Sequence, residues 1–150
     1  VRNDPHALAR ATGEAMYEKD HASRGLGMTL EEIGPGYARM AMKVREDMVN
    51  GHAICHGGII FTLADSTFAY ACNSHNHVTV AQGASIEFLA PGKLGDVLTA
   101  IGEERHMAGK TGIYDIRVSN QDGRSIALFR GKSFRIGGHL VEPHAPEEKP

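Results

Sequence analysis

The order of hydrophobic patterns predicts an α+β fold: a six-stranded antiparallel sheet wrapped around one long central helix, with a further helix at the N-terminus. Three observations carry this. Ile59 to Cys72 is a long, mostly apolar stretch with small residues on its other side, as expected of a helix buried on most faces. The segments before and after it alternate apolar and polar residues with a period of two, which is strand patterning. Gly, Pro and Asp-Gly pairs separate those segments at turn spacing.

Asp4-Pro5 is a helix start, an N-cap candidate followed by proline at the first helical position. Leu8, Ala11, Ala15 and Met16 recur at helical spacing up to about Tyr17. Gly25 to Ile33 reads as a strand, and Gly34-Pro35-Gly36 as the turn of a hairpin. The next strand carries Ala38, Met40, Met42 and Val44 against Tyr37, Arg39 and Lys43. Met48 to Gly58 is irregular. In the central helix, Ile60, Leu63, Ala64, Thr67, Phe68 and Ala71 form a wide apolar stripe, and Asn73-Ser74 ends it. Four strands follow. Val78, Val80, Ala84, Ile86 and Phe88 mark the first, which stops at Pro91-Gly92. The others are Val97 to His106, a strand with Tyr114, Ile116 and Val118 on one side, and Ser125 to Ile136 after the Asp122-Gly123 turn. Residues 1–138 read as a single domain, and 139–150, rich in Pro and Glu, as a mobile tail.

Composition narrows the function. The 150 residues suit one domain, and 41% hydrophobic with 23% charged residues is ordinary for a packed protein. Without Trp, and with five Phe and four Tyr, the core is expected to be aliphatic. Sixteen basic and eighteen acidic residues give a net charge of -2, which lacks the basic bias of nucleic-acid binding. Two cysteines, Cys55 and Cys72, make no disulfide framework. No run reaches the roughly 20 apolar residues of a membrane span, and Val1 to Asp20 has no apolar signal region. A cytoplasmic protein without nucleic-acid or membrane partners is the expectation.

The segment richest in chemistry is Asn50-Gly51-His52-Ala53-Ile54-Cys55-His56-Gly57-Gly58, which runs into the central helix. A helix start exposes backbone N–H donors without internal partners, and its dipole favours negative charge. Glycines there let a ligand's carbonyl approach closely, so Gly57 and Gly58 make a plausible oxyanion hole for acyl transfer. Equally, they serve tight helix–sheet packing. Asp65 lies mid-helix among Phe61, Phe68 and Ala69, where a carboxylate is costly unless paired and its pKa is raised by burial. It is a candidate base or nucleophile, or a structural Asp bonded to a loop. Gly57 and Asp65 are separated by ~12 Å along the helix, so they cannot serve one carbonyl from the same copy. Two antiparallel copies about a two-fold axis would bring Gly57 of one chain to Asp65 of the other and cover the helix's second apolar side.

Asn50-Gly51-His52, Cys55-His56-Gly57-Gly58 and Leu63-Ala64-Asp65-Ser66 together resemble the PaaI-type thioesterases of the hotdog superfamily. Ala69 to Ser74, Phe88 to Gly92 and Ala127 to Ser133 extend the likeness, which runs from about Asp4 to Gly138. The resemblance implies a hotdog fold and hydrolysis of acyl-CoA thioesters, with phenylacetyl- or hydroxyphenylacetyl-type acyl groups. It implies that Gly57 supplies the oxyanion N–H, that Asp65 acts from the facing subunit, and that Asn50 and His56 stand beside the reacting atoms. Such enzymes often carry a Ser or Thr on the strand after the central helix. Here the stretch is Val80-Ala81-Gln82-Gly83-Ala84, which makes Gln82 the candidate. A homodimer sharing the site, paired into a homotetramer, is expected, with coenzyme A as part of the substrate and no separate cofactor.

Coenzyme A carries phosphates, so Lys110, Arg130 and Lys132 are candidate contacts, each with an ordinary solvated charge as its other reading. Gly109-Lys110-Thr111 is no nucleotide loop, since Glu104 stands where the first glycine belongs. His52, Cys55 and His56, or Cys72, His75 and His77, are incomplete zinc sets, and no metal is expected. A Cys55–His56 dyad fails because adjacent residues rarely face each other. A hydratase or dehydratase using His56 and Asp65, and a non-catalytic acyl-CoA-binding protein, are the other function classes considered.

Overall fold

The computed structural model describes residues 4–143. Helix α1 spans Pro5–Lys19, and the Asp4 carboxylate caps it by accepting from the His6 N–H at 3.0 Å. A five-residue helix, α2 (His21–Gly25), follows, with the Asp20 carboxylate accepting from Ser23 N–H. The first strand therefore starts later than the alternation suggests. β1 is Thr29–Gly34, because Asp20 nucleates a helical turn and Gly27, at φ +73°, breaks the chain out of it. β2 (Tyr37–Lys43) returns antiparallel across the Pro35-Gly36 turn, where Gly36 takes φ +66°.

After a short 3-10 turn at Glu46–Met48 comes α3 (Gly57–Asn73), and then β3 (Thr79–Phe88), β4 (Val97–Ala108), β5 (Thr111–Ser119) and β6 (Ser125–Arg135). The sheet order is β1-β2-β4-β5-β6-β3, with every pairing antiparallel. The sheet wraps α3, as a hotdog fold requires. β3 crosses to the far edge and pairs only with β6. A bulge interrupts that pairing. Ala81 faces Ser133 and Gly83 faces Lys132, so Gln82 is the extra residue. The phase of the strand slips there: Val80 is 42% exposed, whereas Ile86 packs against the core.

α3 is buried along Ile60, Leu63, Ala64, Thr67, Phe68 and Ala71, as the stripe predicts, and also at Tyr70, Cys72 and Asn73. The core around it is largely aliphatic, as expected, with one aromatic cluster against the helix. The Phe68 ring lies 5.6 Å from that of Tyr114 and 5.8 Å from that of Phe129, and Phe61 meets Phe129 edge-on at 5.3 Å. Few aromatics suffice because they converge. Gly131 makes the room, since a Cβ there would fall 2.7 Å from the Phe68 ring. Met28, Met40, Met42 and Met48 are buried in the same core.

The C-terminal end of α3 is tied to its surroundings by hydrogen bonds. Asn73 pairs reciprocally with the backbone of Thr79, and Ser74 Oγ accepts from the Gly36 N–H at 2.8 Å. Asn76, at φ +64°, accepts from the N–H groups of Leu140 and Val141 and donates to the Val141 carbonyl. The segment 139–141, expected to belong to a mobile tail, is thus tied back onto the fold, while 144–150 lie outside the described residues. Among the described residues, no helix is long and apolar enough to cross a membrane.

Candidate active site

The loop into α3 is built by Asn50. Its side-chain oxygen accepts from the N–H groups of His52 (2.9 Å) and Ile54 (3.3 Å), and its own N–H donates to the Ile54 carbonyl at 2.9 Å. Ala53 turns the chain at φ +58°. Two longer-range bonds seat the loop: His56 N–H donates to the Met48 carbonyl and Cys55 N–H to that of Gly92. The Asn50 oxygen is therefore committed to the loop, and the amide nitrogen is the part of that side chain left for a substrate or water.

At the start of α3, His56 is the N-cap, and its Nδ1 accepts from the Gly58 N–H at 3.2 Å. The N–H groups of Ile59 and Ile60 are taken by the His56 carbonyl. Gly57 N–H has no partner among the described residues. Of the two glycines, Gly57 thus offers a free donor at the positive end of the helix, and the Gly58 donor is already engaged.

Asp65 lies two turns further on. It is half-buried and not sealed inside the protomer, and burial pushes its carboxyl up from the usual carboxylate range. No hydrogen bond or ion pair to it exists among the described residues. The structural alternative, an Asp bonded to a loop, has no bond to support it. The cysteines are poor nucleophiles, because burial pushes the Cys55 thiol up to about 11 and Cys72 to about 12. No group of three His, Cys, Asp or Glu able to hold a metal occurs among the described residues.

Grooves open on the surface both beside the helix start and away from it. One, of about 370 Å³, adjoins Gly57 and is lined by Ile54, Cys55, Gly57, Ile60, Phe88, Leu89, Ala90 and Pro91, all uncharged. A larger one, of about 570 Å³, lies on the outer sheet face, away from α3, among Glu87, Glu103, Arg105, Asp115, Arg117 and Arg130. It contains neither Gly57 nor Asp65, so size does not make it the reacting centre. Arg130 is engaged there in a two-pronged pair with Asp115 (2.6 and 2.9 Å), which holds the Asp115 carboxyl low. Lys132 is exposed on the same strand, in the same alternation as Arg130, and Lys110 is exposed in the β4–β5 turn. The protomer thus gathers Asn50, His56, Gly57 and Gly58. Asp65 stands about 12 Å along the helix, Gln82 lies on the edge strand, and the three basic residues lie elsewhere.

The family model of the thioesterase superfamily matches residues 52–127, from the Asn50 loop through α3 into β6. The chain belongs to the thioesterase superfamily. This thioesterase is 50% identical over 127 residues to the acyl-coenzyme A thioesterase PaaI of Escherichia coli, an alignment covering 85% of this chain and 91% of the relative. The solved structure of the E. coli PaaI protein from the phenylacetic acid degradation operon superposes with a TM-score of 0.88 at 47% identity, covering 89% of this chain and 97% of that one. A hypothetical thioesterase protein of Streptococcus pneumoniae, solved with coenzyme A, gives a TM-score of 0.72 at 31% identity, covering 75% of this chain and 90% of that one. This thioesterase is accordingly an enzyme of thioester hydrolysis.

Sequence reasoning misses the second wall of the Gly57 groove, the segment Phe88 to Pro91. The Pro91-Gly92 pair marks a turn, but it is the Cys55–Gly92 and Leu94–Ala53 hydrogen bonds, with the Ile54–Lys93 bridge, that bring that turn beside the helix start.

Proposed function

We propose that this enzyme hydrolyses aryl-acyl-CoA thioesters, of phenylacetyl or hydroxyphenylacetyl type, to the free acid and coenzyme A. The observation that carries the reading is a pair of uncommitted groups on one helix: the Gly57 N–H at its positive end, and the half-buried Asp65 carboxylate two turns on. The thioester oxygen docks on Gly57 N–H, which stabilises the charge that develops when the carbonyl becomes tetrahedral. Asp65 of a facing copy takes a proton from the attacking water, or attacks that carbon to give an anhydride that water then cleaves to the free acid, and the coenzyme A thiolate leaves. The Asn50 amide nitrogen holds the water or the carboxylate, and His56 fixes the helix start. Gln82, the extra residue of the β3 bulge, is the candidate for the part that a strand Ser or Thr would play in holding the water.

The shared site makes a homodimer the working unit, with dimers pairing into a tetramer. Lys110 and Lys132 carry charges available for the coenzyme A phosphates, whereas Arg130 would have to leave Asp115 to join them. The printed names of the relatives support the substrate class: one is an acyl-coenzyme A thioesterase, and another was solved with coenzyme A.

A panel of aryl- and alkyl-CoA esters assayed for free thiol tests the reading. Thiol release is the expected result. Absorbance change without thiol means a hydratase, and binding without turnover means a sensor. Mixing Asp65→Ala with a variant blocked at Gly57 should restore activity in heterodimers, each of which regains one intact site. A verified heterodimer without activity rules out the shared site.

A further inference from the structure

We infer that Phe88 selects the acyl group, its ring forming the wall on which an aromatic acyl chain stacks while the thioester oxygen rests on Gly57 N–H. The inference rests on the function proposed above and goes on to assign the selectivity to one residue.

Phe88 is the last residue of β3, and its inner-face position should bury it, yet it is 53% exposed. Its partner across the strand pair is Ala127, too small to hold a ring, and the side chain leans past the sheet onto the helix start. A Cβ added to Gly57 would fall 3.1 Å from Phe88 Cζ, and both residues line the same groove, so the ring stands beside the residue that carries the free N–H. Any carbonyl accepted by that N–H brings its substituents within reach of the ring. The groove they enter, about 370 Å³, is of the size that holds a small apolar ligand and has no charged lining.

The wall is firm where it needs to be. Leu89 and Ala90 N–H groups both donate to the Ile126 carbonyl, and Cys55 N–H donates to Gly92 across the groove. The backbone on each side of the groove is thereby fixed. An exposed ring beside a fixed donor suits stacking on a second ring and offers a linear alkyl chain less.

The test compares kcat/KM for phenylacetyl-CoA and butyryl-CoA in wild type, Phe88→Ala, Phe88→Leu and Phe88→Tyr. The aromatic-to-aliphatic ratio should fall about ten-fold in Phe88→Ala, fall in Phe88→Leu, which keeps apolar bulk without a ring, and hold in Phe88→Tyr. An unchanged ratio in Phe88→Ala overturns the inference. So does an equal loss on both esters, which would show Phe88 positioning Gly57 and not selecting the substrate. Titration with non-hydrolysable ketone analogues of both esters reads the same ratio as binding. A wild type that releases no thiol therefore sinks the hydrolase reading alone, while the Phe88 ratio still stands or falls on its own.

Discussion

His56 Nδ1 accepts the Gly58 amide hydrogen at 3.2 Å, and this one bond leaves Gly57 as the free donor of the helix start. Replacing His56 with Ala should cost ~1 kcal/mol of stability, the worth of an N-cap. It should also lower activity, because the unfixed first turn blurs the position of the Gly57 N–H. Asn at this position caps equally well. If His56 acts only as a cap, His56→Asn restores both melting temperature and turnover; a restored melting temperature without turnover assigns the ring a direct part in the reaction.

Asp65→Asn should fold normally and lose ~10²–10⁴ of turnover, the range for general-base chemistry. Near-normal thiol release from a folded Asp65→Asn protein removes Asp65 from the mechanism. The acid limb of kcat/KM should lie above the ordinary Asp pKa of about 3.9, since the carboxylate must be ionised to act and burial raises its pKa. Stability runs the other way. A raised folded-state pKa favours the fold at low pH, and that contribution is lost as pH climbs through it. Asp65→Asn should therefore melt no lower than wild type at neutral pH, with the margin shrinking in acid.

Glu104 accepts hydrogen bonds from Tyr114 and His75, each at 2.8 Å, through one oxygen. Burial raises the pKa of this carboxyl, but the two hydrogen bonds and the nearby positive charge outweigh it and the net shift is downward. The contribution to stability is then present above the unfolded pKa near 4.3 and is lost as pH falls through the folded value. Glu104→Ala leaves the buried Tyr114 hydroxyl with only the Met107 sulfur at 3.8 Å, and should cost about 1–3 kcal/mol. Glu104→Gln keeps an acceptor, so it should cost less and flatten the acid side of the melting curve.

Asn76→Ala removes three hydrogen bonds to residues 140–141 and places a Cβ residue without a polar side chain at φ +64°. Amides of Leu140 and Val141 should exchange faster by at least ten-fold, read by hydrogen exchange. Asn76→Gly tolerates the backbone angle, and should match the exchange but recover part of the melting temperature.

Gly131→Ala drives a methyl group into the Phe68 ring and should destabilise by about 1–3 kcal/mol. A melting temperature within a degree of wild type would show that the aromatic cluster yields without cost.

The sequence carries the large features for a plain reason: long periodic segments bury one face, and the period shows in the residues. Alternation through Ala38, Met40 and Met42, or Tyr114, Ile116 and Val118, needs no partner to be recognised. What stayed hidden depends on distant groups. α2 is five residues held by the Asp20 cap, too short for a period, and Gly25 and Gly27 at its end look like a strand entry. Asn76 draws its importance from a segment 64 residues away. At the site, the Asn-Gly-His and His-Gly-Gly runs and the odd mid-helix Asp65 were legible because their residue types are costly where they stand. The distinction between Gly57 and Gly58 was not, since it depends on where one imidazole nitrogen points.

Gln82 gives β3 one residue of slack in its pairing with β6. Removing Gln82 would leave Ala81 and Gly83 as consecutive residues opposite Ser133 and Lys132, so the pairings on both sides of the bulge, Thr79 with Arg135 and Phe88 with Ala127, would keep their register. The Asn73–Thr79 hydrogen bonds at the end of the long helix would survive that deletion, and the strand would lose only the local kink and twist.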